Sequence, residues 1–421
     1  MDGVTITLLF LIFAIVMFVW ERIPLSVTAM IVAVGLVVTG VLSPKDAFAG
    51  FVDTNVLLFM AMFIVGAAFF ETGVARDVGG IVTKFAGTER KLIISVMLIT
   101  GLMSGFLSNT GTAAVLIPVA IGLAQRAGFN RAKFLLPLVL ASAMGGNLSL
   151  IGAPGNMIAQ SGLSKIGLSF GFFDYALIGL PVLIVGILYF VLIGYKLLPD
   201  EPARQPEEIY EETDYSKVPK YKKWIAGIVL IATIVGMIFE QQIGIKLYVT
   251  AWIGALVLIV TGTISETAAV KSIDMKTILL FVGSLALADA LVKTGTGTVV
   301  ADAIIGALGS HPSPFVLMAV VFIISAVLTN FMSNTATTAL LVPIGISLAQ
   351  QVGADPKAVL MATVIGGSCA YATPIGMPAN TMVYNIAGYT FMDYVKVGAP
   401  LVVISTIVSL ILLPIFFPFY P

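Results

Sequence analysis

The sequence predicts an all-α polytopic membrane protein of two inverted repeats, each of about five transmembrane helices plus one re-entrant hairpin. Three observations predict it. Hydrophobic residues make up 59% of the 421-residue chain and charged residues only 10%, with a mean hydropathy of +1.06; a soluble domain carries roughly 25% charged residues. Apolar runs long enough to span a bilayer recur along the whole length. The tripeptide Ser-Asn-Thr occurs twice, as Ser108-Asn109-Thr110 and Ser333-Asn334-Thr335. Each copy follows an apolar run and precedes a small-residue run, then a proline (Pro118, Pro343), then Ala-Gln.

The spans fall near 4–20, 24–42, 55–71, 132–151, 176–195, 224–239, 247–263, 278–292, 357–373 and 397–416. The first is followed by Glu21-Arg22 and at once by another span, so it reads as a helix and not a cleaved signal. Runs near 92–107 and 112–126 flank the first tripeptide, and runs near 315–329 and 336–350 flank the second. Each pair reads as a hairpin with the polar tripeptide at its tip. Such a hairpin is tolerated in a membrane where protein or a water-filled cavity covers its backbone.

The repeat extends beyond the tips. Glu21 matches Glu240, Asp53 matches Asp274, Glu71-Thr72-Gly73 matches Lys293-Thr294-Gly295, and Gly145-Gly146 matches Gly366-Gly367. The halves are about 1–199 and 222–421, joined by the charged linker Pro199–Lys223. An odd number of crossings per half inverts the second half relative to the first. With both termini outside, 17 of the 22 lysines and arginines fall on the inner side, the linker included; that bias matches the positive-inside rule.

Composition also excludes. Zero net charge suggests no nucleic-acid partner. The single cysteine, Cys369, rules out an intramolecular disulfide, and the lone histidine, His311, precedes Pro312 in a loop. Without clustered His, Cys, Asp or Glu at membrane depth the chain is not expected to be an enzyme, and no organic cofactor is implied. Asp289 reads as an interfacial or helix-pairing group, with a proton- or ion-linked group as the alternative, and Glu71 as interfacial.

Two further segments interrupt spans: Leu150–Asn156 (LIGAPGN) and Ala372–Asn380 (ATPIGMPAN). Proline removes a backbone donor and glycine tolerates unusual dihedrals, so both predict unwound backbone at mid-membrane. Freed carbonyls suit Na⁺, and half-helix N-termini attract anions. Ser, Asn and Thr at the tips are good helix caps and also neutral donors, able to hold a small anion that must leave again.

The paired tips, with Leu150–Asn156 and with Ser368-Cys369-Ala370-Tyr371 running on into Pro374–Asn380, resemble the divalent anion/sodium symporter family of dicarboxylate, citrate and sulfate transporters. The resemblance covers essentially the whole chain. It implies an elevator-type homodimer in a lipid bilayer, in a prokaryotic plasma membrane, with Na⁺ as coupling ion. The implied scaffold domain comprises 1–89 and 224–310, the transport domain 90–199 and 311–421, with 200–223 a cytosolic linker. One sodium site would use Ser104, Ser108, Asn109 and Gly152; the other Thr329, Met332, Asn334 and Gly376, Met332 through its backbone carbonyl. The anion would touch Ser108, Asn109, Thr110, Ser333, Asn334 and Thr335, beside Ala153 and Met377. The family's Pro-Pro-Asn becomes Pro154-Gly155-Asn156 and Pro378-Ala379-Asn380 here, and Ala153 and Met377 are less polar than the Ser or Thr of dicarboxylate members. The expected activity is Na⁺-coupled symport of a C4-dicarboxylate (succinate, malate or fumarate). Alternatives are a sulfate or citrate transporter, an anion exchanger, or a cation/proton antiporter or arsenite permease of the same superfamily.

Overall fold

A computed structural model describes residues 2–80, 88–200, 215–308 and 313–420. His311 and most of the linker lie outside these residues. Seventeen helices of nine residues or more form the described chain. Repeat 1 holds α1 (Gly3–Trp20), α2 (Leu25–Val38), α3 (Thr54–Glu71), α4 (Glu89–Ser104), α5 (Asn109–Ala127), α6 (Ala132–Gly145), α7 (Pro154–Lys165) and α8 (Ala176–Tyr189). Repeat 2 holds α9 (Lys220–Ile238), α10 (Leu247–Val260), α11 (Met275–Thr294), α12 (Thr296–Leu308), α13 (Pro314–Leu328), α14 (Asn334–Val352), α15 (Pro356–Gly367), α16 (Pro378–Ile386) and α17 (Phe391–Phe416). Among the described residues seven helices are long and apolar enough to cross a membrane.

Several expected runs differ from the helices: those near 132–151 and 357–373 end as α-helix at Gly145 and Gly367, before the breaks, and that near 397–416 starts at Phe391. The runs near 24–42 and 247–263 fold as 14-residue helices. Each stops at a Thr-Gly pair whose glycine, Gly40 or Gly262, takes a positive φ of 74° or 66° that ends the turn. The linker gives way to helix at Lys220, four residues earlier than expected, because Pro219 starts the helix and the lysines at 220, 222 and 223 are good helix formers at a wet end. Helix α12 was not expected: its Gly, Thr and Asp content hides an amphipathic helix that packs on α14, with Gly297 tight against Ser347.

The two repeats interlock. Helix α2 packs along α11, and its repeat mate α10 packs along α3. Deeper in, α7 lies on α14, α16 on α5, and α8 on α17. Every such contact joins one repeat to the other, so neither half closes its own core. Within each half, the first hairpin arm packs on the helix before the break: α4 on α6, α13 on α15. The buried faces of α6 and α15 are almost wholly apolar.

The matched Gly-Gly pairs explain that packing. A Cβ on Gly145 would lie 2.1 Å from the Gly101 carbonyl oxygen, and one on Gly366 would lie 2.6 Å from that of Phe322. Both are shorter than any tolerable contact, so a backbone would have to move. Gly145→Ala is expected to destabilise the protein by about 3 kcal/mol through overpacking. Thermal unfolding of the detergent-solubilised protein checks this, and an unchanged midpoint would show that α4 and α6 can part.

Candidate functional site

Each Ser-Asn-Thr tip is a helix start. Ser108 caps α5, its hydroxyl accepting from Gly111 N–H at 3.1 Å. Ser333 caps α14, accepting from Ala336 N–H at 3.2 Å. The capping role expected of the tripeptide is therefore present at both tips. The helix dipoles favour an anion at both starts.

The residue four positions before each tip fixes the asparagine. Ser104 Oγ lies 2.7 Å from Asn109 Oδ1 and 2.7 Å from Ser142 O. Ser142 Oγ in turn donates to Asn109 O at 2.7 Å. At the other tip Thr329 Oγ1 lies 2.9 Å from Asn334 Oδ1, and Asn334 N–H donates to Gly376 O at 3.3 Å. Ser104, Thr329 and Met332 are fully buried behind the tips.

The broken segments pack against these tips as backbone. A Cβ on Gly152 would lie 2.4 Å from Gly146 O and 2.9 Å from Gly105 O; one on Gly376 would lie 2.4 Å from Thr329 O. Gly146 itself abuts the Asn109 amide. Carbonyl oxygens therefore crowd beside a hydroxyl and an amide oxygen at both tips, the donor set that a hard cation takes. Each expected sodium set is brought together: Ser104, Ser108, Asn109 and Gly152 around one tip, and Thr329, Met332, Asn334 and Gly376 around the other.

Two asparagines, quoted in the sequence pattern but not counted as site residues, hold the breaks open. Asn156 Nδ2 donates to Gly146 O at 2.9 Å and Ser149 O at 2.7 Å. Asn380 Nδ2 donates to Ala370 O at 2.8 Å and Thr373 O at 3.2 Å. Buried tyrosines steady both asparagine backbones: Tyr175 donates to Asn156 O at 3.0 Å and Tyr394 to Asn380 O at 2.6 Å. The Oδ1 atoms of Asn156 and Asn380 are buried without a partner among the described residues, as are the hydroxyls of Thr112 and Thr337. These orphans fall as two repeat-related pairs. The tyrosines gave no sequence signal, but the matched Pro-x-Asn did.

The halves meet at the centre. Ser368 Oγ donates to Asn147 Oδ1 at 3.0 Å, a contact between positions that correspond in the two repeats. Asn109 Nδ2 also lies 3.9 Å from Met377 Sδ. Around this axis lies a cavity of about 530 Å³. It is lined by all eight residues expected to touch the anion: Ser108, Asn109, Thr110, Ser333, Asn334, Thr335, Ala153 and Met377. Its floor is neutral and rich in donors; of the lining residues only Asp274 and Lys276 are charged.

A second cavity, of about 570 Å³, brings Glu21 against Ser333 and α16. Burial raises the Glu21 carboxyl above its ordinary range, while the Ser333 backbone N–H works the other way. Glu21 is the one non-glycine residue with positive φ among the described residues, at 50°. In the sequence it served only as a repeat marker and as the polar boundary after the first span. Asp289 pairs with Lys165 of α7 at 2.5 Å, the helix-pairing role expected of it.

The family model described as citrate transporter (CitMHS) matches residues 15–366. The chain belongs to this family. As a member of the citrate transporter family it is an integral membrane transporter and not an enzyme. It is 24% identical to the uncharacterized transporter YfbS of Escherichia coli (strain K12), with 96% of this chain and 98% of the relative covered. It is 24% identical to the sodium-dependent dicarboxylate transporter SdcS of Staphylococcus saprophyticus, with 90% and 79% covered. Among solved structures it shares the fold of the Alcanivorax borkumensis YdaH transporter, at a TM-score of 0.68, 17% identity and 99% of both chains covered. The Neisseria gonorrhoeae MtrF structure matches at a TM-score of 0.64, 15% identity, with 99% and 95% covered.

Proposed function

We propose that this transporter couples Na⁺ to symport of a small divalent anion, a C4-dicarboxylate such as succinate, malate or fumarate. The observation that carries the reading is the cavity: two helix starts with neutral hydroxyl and amide donors face each other, each backed by oxygens suited to Na⁺. Neutral donors hold a carboxylate without the tight grip of a buried arginine, so release stays fast. The SdcS relatives named as sodium-dependent dicarboxylate transporters support the same class. Ser104, Ser108, Asn109 and Gly152 hold one Na⁺; Thr329, Met332, Asn334 and Gly376 hold the other. Na⁺ binds first and sets the asparagines, and the anion follows. The family's description favours one second reading, citrate, which the same donors would hold. Labelled succinate uptake with citrate and sulfate as competitors tests the order of preference.

Transport itself is read as an elevator movement in a homodimer of a prokaryotic plasma membrane, with both termini outside and residues 200–223 cytosolic. Scaffold residues 1–89 and 224–310 stay fixed while 90–199 and 311–421 move with the two re-entrant hairpins. A polar clasp joins the two parts. Ser161 of α7 donates to Asp53 at 2.8 Å and accepts from Asn55 Nδ2 at 3.0 Å, and one turn on Lys165 pairs with Asp289. The matching scaffold end, Asp274–Thr277, instead lines the open cavity. That end adjoins the segments that carry Arg22 and Lys271, the inner side under the lysine–arginine bias, which supports an inward-open state. Ser161→Ala is expected to change the transport rate roughly two- to fivefold by loosening the clasp, with anion affinity at the tips changed less. Equal rates would show that the clasp does not govern the movement.

A further inference from the structure

We infer that Lys276, on the scaffold and outside both tips, is a specificity-determining residue that selects doubly charged anions on the face where this cavity opens. This rests on the anion-transport reading above. Every donor that the tips offer is neutral, so they distinguish a dianion from a monoanion only weakly. Of the two charged residues lining the cavity, Asp274 is spent on the start of α11. Its carboxylate accepts from Lys276 N–H at 3.1 Å, Thr277 N–H at 3.4 Å and the Thr277 hydroxyl at 2.5 Å. The Lys276 ammonium forms no ion pair and no side-chain hydrogen bond among the described residues, and the residue is exposed. A free cation at the edge of a cavity of neutral donors attracts each anionic charge that enters, and attracts a dianion about twice as strongly as a monoanion.

The repeat makes the device one-sided. The position matching Lys276 is Asn55, separated from it by the same interval as Asp53 from Asp274. Asn55 is neutral, buried and bonded to Ser161. A cavity formed at that end by the inverted movement would therefore have no lysine at the position matching Lys276, and the nearby Lys165 is already paired with Asp289. Charge selection by this device therefore belongs to the face that carries Lys276.

The test is equilibrium binding of labelled succinate to the purified full-length protein at fixed Na⁺, with the monoanion succinamate as competitor. Wild type is compared with K276Q and K276R. The expected result for K276Q is a loss of succinate affinity of roughly three- to tenfold, a smaller loss for succinamate, and retention of both in K276R. Raising choline chloride at constant Na⁺ should erase most of the wild-type advantage. Unchanged succinate-to-succinamate preference in K276Q would overturn the assignment while leaving the transport reading intact. Failure of wild type to bind succinate, citrate or sulfate would overturn the transport reading itself. Lys276 is exposed, so loss of fold is not expected, and an unfolding midpoint equal to wild type confirms it.

Discussion

Asn109→Ala is expected to weaken both Na⁺ and anion binding, each on the order of 10- to 100-fold, the scale of one or two hydrogen bonds to charged groups. In the proposed site the Asn109 side chain has two jobs in one place. Its Oδ1 lies 2.7 Å from the Ser104 hydroxyl, behind the tip, while its Nδ2 faces Met377 across the cavity. In the proposed site, removing the amide takes an oxygen from the ion and a donor from the anion at once, and it leaves Ser104 with Ser142 as its partner. Asn334→Ala should act alike at the other tip, where Thr329 and the Gly376 carbonyl replace Ser104 and the backbone near Gly152. Because the two ligands share one residue, their losses should be linked: extra Na⁺ should recover part of the anion affinity. Isothermal titration of Na⁺ with and without succinate checks this. Wild-type affinity for both ligands in Asn109→Ala would remove the tip from the site.

Gly376→Ala is expected to reduce transport on the order of 100-fold or more while leaving a folded protein. The added Cβ would stand 2.4 Å from Thr329 O and 2.7 Å from Ala370 Cβ. Strain of that kind costs about 1–3 kcal/mol and would be relieved by shifting the unwound strand away from the second tip. A shift below 1 Å is enough to break the 3.3 Å link between Asn334 N–H and Gly376 O. Gly152→Ala should do the same at the first tip, against Gly146 O and Gly105 O. Gly122→Ala is the control, since a Cβ there meets nothing within 4 Å and should support wild-type uptake. Uptake assays on the three variants, with the unfolding midpoint of each, separate a damaged site from a damaged fold. Wild-type uptake by both Gly376→Ala and Gly152→Ala would show that the breaks do not need backbone packed this closely.

The helices and the site were legible in the sequence for different reasons. Polar residues in an apolar chain are costly, so Ser-Asn-Thr and the Pro-Gly breaks stood out as places that needed a partner. Repetition then paired them, and the eight residues expected at the anion all line one cavity. The hairpin arms came within a few residues of the observed helices because their starts are set by Thr88, Ser108, Ser313 and Ser333 caps. Less legible were contacts made only by folding. The Ser368–Asn147 contact, the Ser142 bridge to Asn109 and the tyrosines beneath Asn156 and Asn380 join residues that no local pattern links. Helix α12 was missed because its small and polar residues serve close packing on α14 rather than apolar burial. Lys276 counted only toward topology, since nothing near it in sequence places it beside tips more than 50 residues away.

The central claim is that an inward Na⁺ gradient drives a small divalent anion through this protein. Labelled succinate uptake into proteoliposomes, with Na⁺ or choline outside and sulfate and citrate as competitors, tests it most directly. The account predicts concentrative uptake with Na⁺ and none with choline, and its loss in Asn109→Ala. Uptake equal in Na⁺ and choline, or none of any of the three anions by folded wild-type protein, would contradict it.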